Sequence, residues 1–299
     1  MYKARQHRDK VIERIGGHMV YLSNRFAQYE RDEPGWVKET WHNDQSRLGR
    51  LFWMNPSQRN LAQLYGEVIQ LDTCQNRNAY GFYLTTFVVV NGDNKTRNIA
   101  YCLTDSEDTA AFEWMMEHLK TVIEAAEYGT TVKVVFSDRS LAIAAAVRWV
   151  FPDAFHGICL WHLQENLLKN LGPMLGNDFK AFLQQFWETY RMGSPATFER
   201  AWQELLLHWH RAVPYLQEHI YADKEKWAWA WVGCRFAAGM KTTGRVENEH
   251  RVYKILELGQ TSTLNEVVEK LCDRSTNQQD LDWEEKLNVP ALQCVVPYC

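Results

Sequence analysis

Three acidic residues stand in settings that suit metal-dependent chemistry. Asp72 closes an apolar run, Asp138 closes a second one, and Glu247 opens an amphipathic segment much further along the chain. Carboxylate oxygens are the ligands that Mg²⁺ prefers, and a pair of such ions can stabilise the attacking and the leaving oxygen of a phosphodiester. The three acids therefore predict phosphoryl transfer on nucleic acid.

Each acid also has an ordinary structural explanation. Asp138 precedes a predicted helix and could be only its N-cap. Asp72 could be a strand-end carboxylate facing water, although the apolar residues before it favour burial. Glu247, taken alone, is typical of a solvated helical glutamate. Sequence spacing alone leaves these alternatives open.

Hydrophobic periodicity predicts the elements that must position these acids. Branched apolar residues lead into Asp72 and predict a buried strand. The elements predicted after it are strands over 81–90 and 98–103 joined by an Asn-Gly turn, a helix whose apolar stripe includes Phe112 and Met116, a strand over 131–136, a helix over 141–150 and a strand over 154–159. This order predicts an α/β fold with an RNase H-like mixed five-stranded sheet flanked by helices.

The stretch between Asp138 and Glu247 carries a different, helical pattern. Apolar residues repeat at helical spacing from Phe179 to Phe186 and from Phe198 to Trp209. Further tryptophans lie nearby, at Trp187, Trp227, Trp229 and Trp231. The pattern predicts an all-helical insertion between the fifth strand and the last catalytic helix, held together by large rings. The alternative is that one or more of these rings stack on nucleic-acid bases.

An ordered set of short motifs resembles the Mutator-like element (MULE) transposase domain, from about Leu51 to Lys254. The set comprises Leu51-Phe52-Trp53, Leu71-Asp72-Thr73 with Asn78 and Tyr80, Phe112 with Trp114, Ser137-Asp138, Phe151-Pro152, Cys159-Leu160-Trp161-His162 with Asn166, and Arg245-Val246-Glu247. The resemblance implies a DDE transposase of the RNase H-like superfamily whose catalytic triad is Asp72, Asp138 and Glu247. It further implies that these acids hold two Mg²⁺ or Mn²⁺ ions for cleavage at transposon ends and strand transfer into target DNA.

The resemblance also implies the division of the chain into segments and its binding partners. We expect an N-terminal, mostly helical segment over 1–62, the first part of the catalytic core over 63–165, a helical insertion over 166–240, and the last part of the core with a C-terminal segment over 241–299. DNA is the implied partner, with a homo-oligomer assembled on it and a nuclear location. Two other outcomes remain: a domesticated MULE-derived DNA-binding transcriptional regulator, or a metal-dependent RNase H-like nuclease.

The motif Cys159-x-x-His162 has the spacing of half a tetrahedral zinc site. No second pair lies at a convincing distance, because Cys234, Cys294 and Cys299 are scattered along the chain. The motif resembles the Cys-x-x-His signature of MULE transposases. That resemblance implies that Cys159 and His162 pack beside the active centre or contact the transposon end.

The predicted helix around Glu247 supplies further candidates. Glu249 lies on a different side of this helix from Glu247, which makes Glu249 the reserve candidate for the third acid. The basic residues Arg245, Arg251 and Lys254 are available for DNA phosphates beside the site.

Bulk properties limit how DNA could be bound. The 299 residues carry a formal net charge of −4 and a pI of about 6.2, so attraction to DNA over the whole surface should be weak and binding must depend on local patches. One candidate patch lies at the start, at Lys3, Arg5, Arg8, Lys10 and Arg14, although a solvated helical face explains it as well. The cysteines show no paired spacing and no apolar leader or spanning run is visible, which predicts a soluble intracellular protein without a membrane partner.

Overall fold

The computed structural model describes residues 17–127, 129–238 and 244–288. Its centre is a seven-stranded mixed sheet in the order β1-β2-β5-β4-β3-β6-β7. The strands are β1 (Val37–His42), β2 (Leu48–Met54), β3 (Val68–Cys74), β4 (Tyr83–Val90), β5 (Thr96–Thr104), β6 (Val134–Ser137) and β7 (Phe155–Ile158). Neighbours are antiparallel from β1 across to β3, whereas β6 is parallel to β3 and to β7.

Helices cover both faces of the sheet and form a further region beyond it. They are α1 (His18–Asp32), α2 (Pro56–Tyr65), α3 (Thr109–Glu124), α4 (Leu141–Val150), α5 (Leu160–Leu175), α6 (Phe179–Tyr190), α7 (Pro195–His208), α8 (Gly244–Ile255) and α9 (Leu264–Asn288). Short helical turns occupy much of the chain between His210 and Val232. Within the described ranges, no helix combines the length and apolar character needed to cross a bilayer.

The sheet is larger than the sequence predicted. The five-stranded expectation is wrong by two strands, because a hairpin of β1 and β2 extends the sheet beyond β5, with Phe52 opposite Cys102. The segment over 1–62, predicted to be mostly helical, thus contains this hairpin as well as α1. The side chain of Asn43 closes the turn by accepting hydrogen bonds from the backbone N–H groups of Gln45 and Arg47, both at 3.0 Å.

One face of the sheet packs against α3 and α4. Asp108 caps α3, since its carboxylate accepts from the backbone N–H of Ala111 at 2.8 Å. The apolar stripe of α3 then faces the sheet, with Phe112 and Met116 buried as the periodicity predicted. Burial of large aliphatic, aromatic and methionine side chains makes this the main core of the sheet, including Ile69, Leu71, Phe87, Val89, Met115, Leu119, Ile123, Val135, Ile143 and Val147.

The opposite face carries α1, α8 and α9. The cluster there joins Phe26 of α1, Trp53 of β2, Tyr253 of α8 and Val268 of α9. Cys74 of β3 belongs to this cluster, whereas Ile69 and Leu71 belong to the other. Because side chains alternate along a strand, Asp72 lies on the same face as Cys74, under α8.

A third cluster is built by α5 to α7 and the helical turns after them. It is rich in aromatic rings, and its fully or nearly fully buried members include Phe182, Phe186, Phe198, Trp202 and Trp227. Phe186 stacks on Trp227 with 5.3 Å between ring centroids, and Phe198 stacks on Trp202 at 5.8 Å. Rings of this size hold the helices together.

Candidate functional site

The two aspartates lie side by side at the carboxyl ends of the central strands. β3 and β6 pair in parallel with Gln70 opposite Phe136. Continuing this register by two residues places Asp72 opposite Asp138, which directly follows β6. Adjacent strands run roughly 5 Å apart, so the two backbones meet at one edge of the sheet.

Asp72 is held inside the protein. Its residue is 8% exposed, so the alternative of a carboxylate facing open water is wrong. One oxygen, Oδ1, accepts from the backbone N–H of Thr73 at 2.9 Å, and Oδ2 lies 3.9 Å from Nε2 of His162. On the opposite face of the sheet, the hydroxyls of Thr73 and Thr85 are 2.9 Å apart. Asp72 therefore stands in a polar, partly enclosed environment.

The loop after β6 fixes Asp138. The N-cap of α4 is Ser140, whose hydroxyl accepts from the backbone N–H of Ile143 at 3.3 Å. The alternative in which Asp138 is only that N-cap is therefore wrong. Instead, Oδ1 of Asp138 accepts from the backbone N–H of Ser140 at 3.0 Å, which shapes the turn and leaves the carboxylate at the strand end.

A partly buried histidine supports the same loop from β7. The Ser137 hydroxyl donates to the carbonyl oxygen of Asp138 at 2.8 Å and is also 2.8 Å from Nε2 of His156. Since the hydroxyl has one proton, the two contacts together require Nε2 of His156 to be the donor. Burial, together with the nearby positive charge of Lys226, lowers the pKa of His156 to about 4, so the ring is neutral at pH 7.

Arg139 connects this loop to the aromatic helical region. Its Nε donates to Oδ2 of Asp223 at 2.7 Å, and Lys226 donates to the other oxygen at 2.9 Å. Although burial opposes it, these two cations hold the pKa of Asp223 below its ordinary value. The position of Asp138 is thus tied to the helical turn that carries Asp223 and Lys226.

Sequence reasoning did not identify Glu107, which lies near Asp138. Nε2 of Gln75 donates to its carboxylate at 3.1 Å. Partial burial raises the pKa of Glu107 above its ordinary value, and the negative charge of Asp138 adds to the rise. The available signal was its place in an acidic loop before α3.

Helix α8, which carries the predicted third acid, packs against β3 and β4. The Tyr253 hydroxyl lies 2.8 Å from the hydroxyl of Thr86, and Thr86 is directly opposite Asp72 in the sheet. The backbone of α8 therefore runs over the strand that bears Asp72. The side chains of Arg245 and Glu247 lie outside the described residues, so the convergence of Glu247 with the two aspartates stays a prediction.

Glu249 is committed to a structural role. It is 5% exposed, and Arg274 binds both its oxygens, at 2.9 and 3.2 Å. The amide of Asn98 donates to the same carboxylate at 3.0 Å and that of Gln278 at 3.4 Å. This network joins α8 to β5 and α9, so Glu249 does not serve as a substitute for Glu247. Its partners are 25 or more residues away in sequence, which is why spacing did not reveal them.

The Cys159-x-x-His162 motif adjoins the site. Cys159 is buried and caps α5, its sulfur accepting from the backbone N–H of His162 at 3.4 Å. Across the described part of the chain, no three His, Cys, Asp or Glu side chains are grouped to hold a metal ion, which gives the zinc interpretation no support. His162 itself reaches toward Asp72, whereas Cys159 points into the protein.

Among the basic candidates, Arg251 and Lys254 are exposed on α8. The N-terminal basic residues, like Cys294 and Cys299, lie outside the described residues. Among the residues that the structure describes, Arg251 and Lys254 are thus the exposed basic side chains nearest in sequence to Glu247.

Comparison with known proteins agrees with the sequence motifs. A sequence model of the MULE transposase domain matches residues 68–166, from β3 into α5. The chain carries a MULE transposase domain. This MULE domain includes Asp72, Asp138, Cys159 and His162, whereas Glu247 lies beyond the matched residues.

Similar proteins extend the likeness beyond the MULE domain. Protein FAR1-RELATED SEQUENCE 5 of Arabidopsis thaliana is 24% identical over 245 residues, which are 82% of this chain and 30% of that protein. Protein FAR1-RELATED SEQUENCE 4 is 26% identical over 258 residues, 84% of this chain and 34% of that protein. Protein FAR-RED IMPAIRED RESPONSE 1 is 24% identical over 237 residues, 78% and 28% respectively. The chain spans about a third of the length of these relatives.

Proposed function

We propose that this chain is a domesticated MULE-derived domain that binds DNA as part of a nuclear transcriptional regulator. The observation that carries the proposal is similarity to these relatives, because one is named for a far-red response, the other two are named as related to FAR1, and none of the three names refers to transposition. Since the chain spans about a third of these relatives, the regulator as a whole is part of the proposal.

The surface of α8 supports DNA as the ligand. Arg251 and Lys254 are exposed there, and the helix lies over β3 and β4 at the sheet edge that bears Asp72 and Asp138. Cationic side chains contact DNA phosphates and position a protein on the duplex without reading its sequence. With a net charge of −4 over the chain, such a local patch has to supply the attraction.

A binding assay in EDTA tests this proposal. Fluorescence anisotropy with double-stranded DNA should show binding by the wild-type chain without any divalent metal. The double variant Arg251→Ala/Lys254→Ala should bind more weakly, with a salt slope lower by about two, because each lost phosphate contact removes about one unit. Arg148→Ala, which removes an exposed arginine of α4, is the matched control and should bind like the wild type. No binding by the wild type in EDTA contradicts the proposal.

A catalytic DDE transposase is the second candidate, and the register of β3 and β6 favours it. The order β5-β4-β3-β6-β7, with α3 and α4 as connections, supports an RNase H-like arrangement in which Asp72 and Asp138 adjoin. Their carboxylate oxygens fit a hard cation such as Mg²⁺ or Mn²⁺, and Glu247 would complete the set. Two bound ions would stabilise the attacking and leaving oxygens of a phosphodiester.

The described residues of this candidate act by positioning. The backbone N–H groups of Thr73 and Ser140 hold the two carboxylates, and the contact of His156 with Ser137 holds the loop after β6. Assembly as a homo-oligomer on transposon ends belongs to this candidate. Mg²⁺-dependent strand transfer of labelled transposon-end DNA by the wild type, absent with Asp138→Asn, would establish it over the regulator. Cleavage without strand transfer would instead favour a metal-dependent nuclease.

A further inference from the structure

An aromatic cavity of 310 Å³ lies beside the candidate site. Its floor is formed by Phe136 of β6 and Ile158 of β7, and its walls include the rings of Trp227 and Trp229. Among the residues that the structure describes, neither the aspartates nor any residue of α8 lines it. A purely structural role, in which the tryptophans hold the helices together, explains the buried rings. It does not explain a cavity bounded by rings.

The cavity opens on the face of the sheet that carries the aspartates. Phe136 precedes Asp138 by two residues, so the two side chains are on the same side of the chain and roughly 7 Å apart along it. Val232 and Ala237 pack over Phe136 and Val134 on this face. A DNA strand that reaches Asp138 therefore passes within one nucleotide step of the cavity.

The rings of the cavity are arranged for stacking. Trp227 is 2% exposed and is fixed by its stack on Phe186 at 5.3 Å, which makes it a rigid wall. Trp229 is half-buried, and Phe236 is 65% exposed at the rim. A partly open aromatic wall accepts a planar ring, because stacking on aromatic side chains tolerates any base.

The rim also carries positive charge. Arg235 is exposed with its guanidinium 4.1 Å from the centroid of the Phe155 ring, and it makes no ion pair with any other described residue. Lys226 adds a second cation, although it is paired with Asp223 at 2.9 Å. Rings within and cations at the rim complement a nucleobase joined to its phosphate, whereas an apolar peptide side chain would leave the cations unused.

We propose that this cavity takes one unpaired nucleotide of the DNA strand that runs past Asp138. The proposal rests on DNA binding at the candidate site and names the form of DNA that the site prefers. A volume of 310 Å³ is at the lower end for small-ligand sites, which suits a single base and is too small for a base pair. The base stacks against Trp229 and Phe236, and its phosphate pairs with Arg235.

The test uses a DNA duplex with one unpaired 2-aminopurine nucleotide, whose fluorescence falls on stacking, and a fully paired duplex of the same length. We expect the wild-type chain to quench the probe and to bind the bulged duplex about tenfold more tightly than the paired one. Trp229→Ala should bind both duplexes alike and lose the quenching. Trp149→Ala, which removes a tryptophan that is 71% exposed on α4, should behave like the wild type.

The outcomes separate this inference from DNA binding itself. Binding of the paired duplex without preference for the bulged one overturns the nucleotide cavity and leaves DNA binding intact. Binding of neither duplex overturns both. If Trp229→Ala fails to fold, the variants Phe236→Ala and Arg235→Ala at exposed positions provide the test. Each should reduce the preference for the bulged duplex at least threefold. Binding of the paired duplex by Phe236→Ala should stay unchanged. An undiminished preference in both variants overturns the proposal.

Discussion

Two carboxylate environments adjoin α8, and they are held in opposite ways. Glu249 is surrounded by donors, because the guanidinium of Arg274 and the amides of Asn98 and Gln278 all bind it. Asp72 instead accepts from the next backbone N–H, faces His162 at 3.9 Å, and lies opposite a second acid, Asp138. The first environment neutralises its charge, and the second brings like charges together.

The difference separates structure from function. A buried carboxylate is tolerated when a cation and hydrogen-bond donors compensate it, so the Glu249 network ties α8 and α9 to the sheet. Neighbouring carboxylates of like charge repel each other and cost stability. A protein keeps such a pair where another ligand, such as a cation, uses it or where its ancestor did so. The MULE domain match over 68–166 agrees with that explanation for Asp72 and Asp138.

The largest expected effect is at Glu249. Glu249→Ala leaves Arg274 without its partner in a mostly buried place, so the free energy of unfolding should fall by about 3–5 kcal/mol. Urea denaturation followed by far-UV circular dichroism measures it. Glu117→Ala, which removes an exposed glutamate of α3, is the control and should change it by less than about 0.5 kcal/mol. A similarly small loss at Glu249 would mean that the network is not structural.

His156 should make stability depend on pH. Its pKa is about 4 when folded and about 6.5 when unfolded, so the unfolded chain takes up a proton first as the pH falls. Stability should therefore decline between pH 6.5 and 4, by up to about 3 kcal/mol, and be fully present above pH 6.5. Burial and the positive charge of Lys226 favour the neutral ring, whereas the negative charge of Asp223 opposes it. The size of the decline is the net result of these three effects.

The His156→Gln variant isolates this contribution from other groups. It should be less stable than the wild type at pH 7.5, but its stability should fall less steeply between pH 6.5 and 4. Urea midpoints at several pH values provide the comparison. Parallel curves for the two proteins would show that His156 is not buried in its neutral form.

A smaller effect is expected where α8 contacts the strand next to Asp72. Tyr253→Phe removes the hydroxyl that bonds Thr86, which should cost about 1 kcal/mol. Thr86→Val should cost a similar amount, and the double variant little more than either single one, since both remove the same bond. Fully additive losses would show that the two hydroxyls do not interact.

The smallest effect on stability is expected at Asp138. Asp138→Asn keeps the side-chain oxygen that accepts from Ser140 while it removes a charge facing Asp72 and Glu107. The free energy of unfolding should change by less than about 0.5 kcal/mol, with any change toward greater stability. A loss of several kcal/mol in the same urea assay would place Asp138 with Glu249 among the structural carboxylates and remove the contrast.

The sequence predicted the elements whose periodicity is local. The helix over 141–150 was predicted with the bounds that α4 has, and the buried strand that ends in Asp72 is present as β3. The hairpin of β1 and β2 was missed because β1 is an edge strand with mostly exposed side chains, which gives no alternating pattern. Long-range pairing of Phe52 with Cys102, rather than local propensity, places β2 in the sheet.

The site was predicted only in part, because sequence patterns report local structure and not contacts between distant residues. Asp72 and Asp138 could be identified as strand-end acids, and continuing the register of β3 and β6 by two residues places them opposite each other. Glu107 and the Ser137–His156 contact were not predicted, because each depends on residues 19 or more positions apart that meet only in the folded chain. The role of Glu247 stays a prediction.

One measurement addresses the central proposal, that this chain binds DNA without acting on its strands. Wild-type protein and Asp138→Asn are each incubated with labelled double-stranded DNA, in EDTA and in Mg²⁺, and both the bound fraction and the strand lengths are measured in every sample. The account predicts equal binding by the two proteins in EDTA and intact strands throughout. Cut or joined strands that appear only with the wild type in Mg²⁺ would contradict it and identify an active transposase or nuclease.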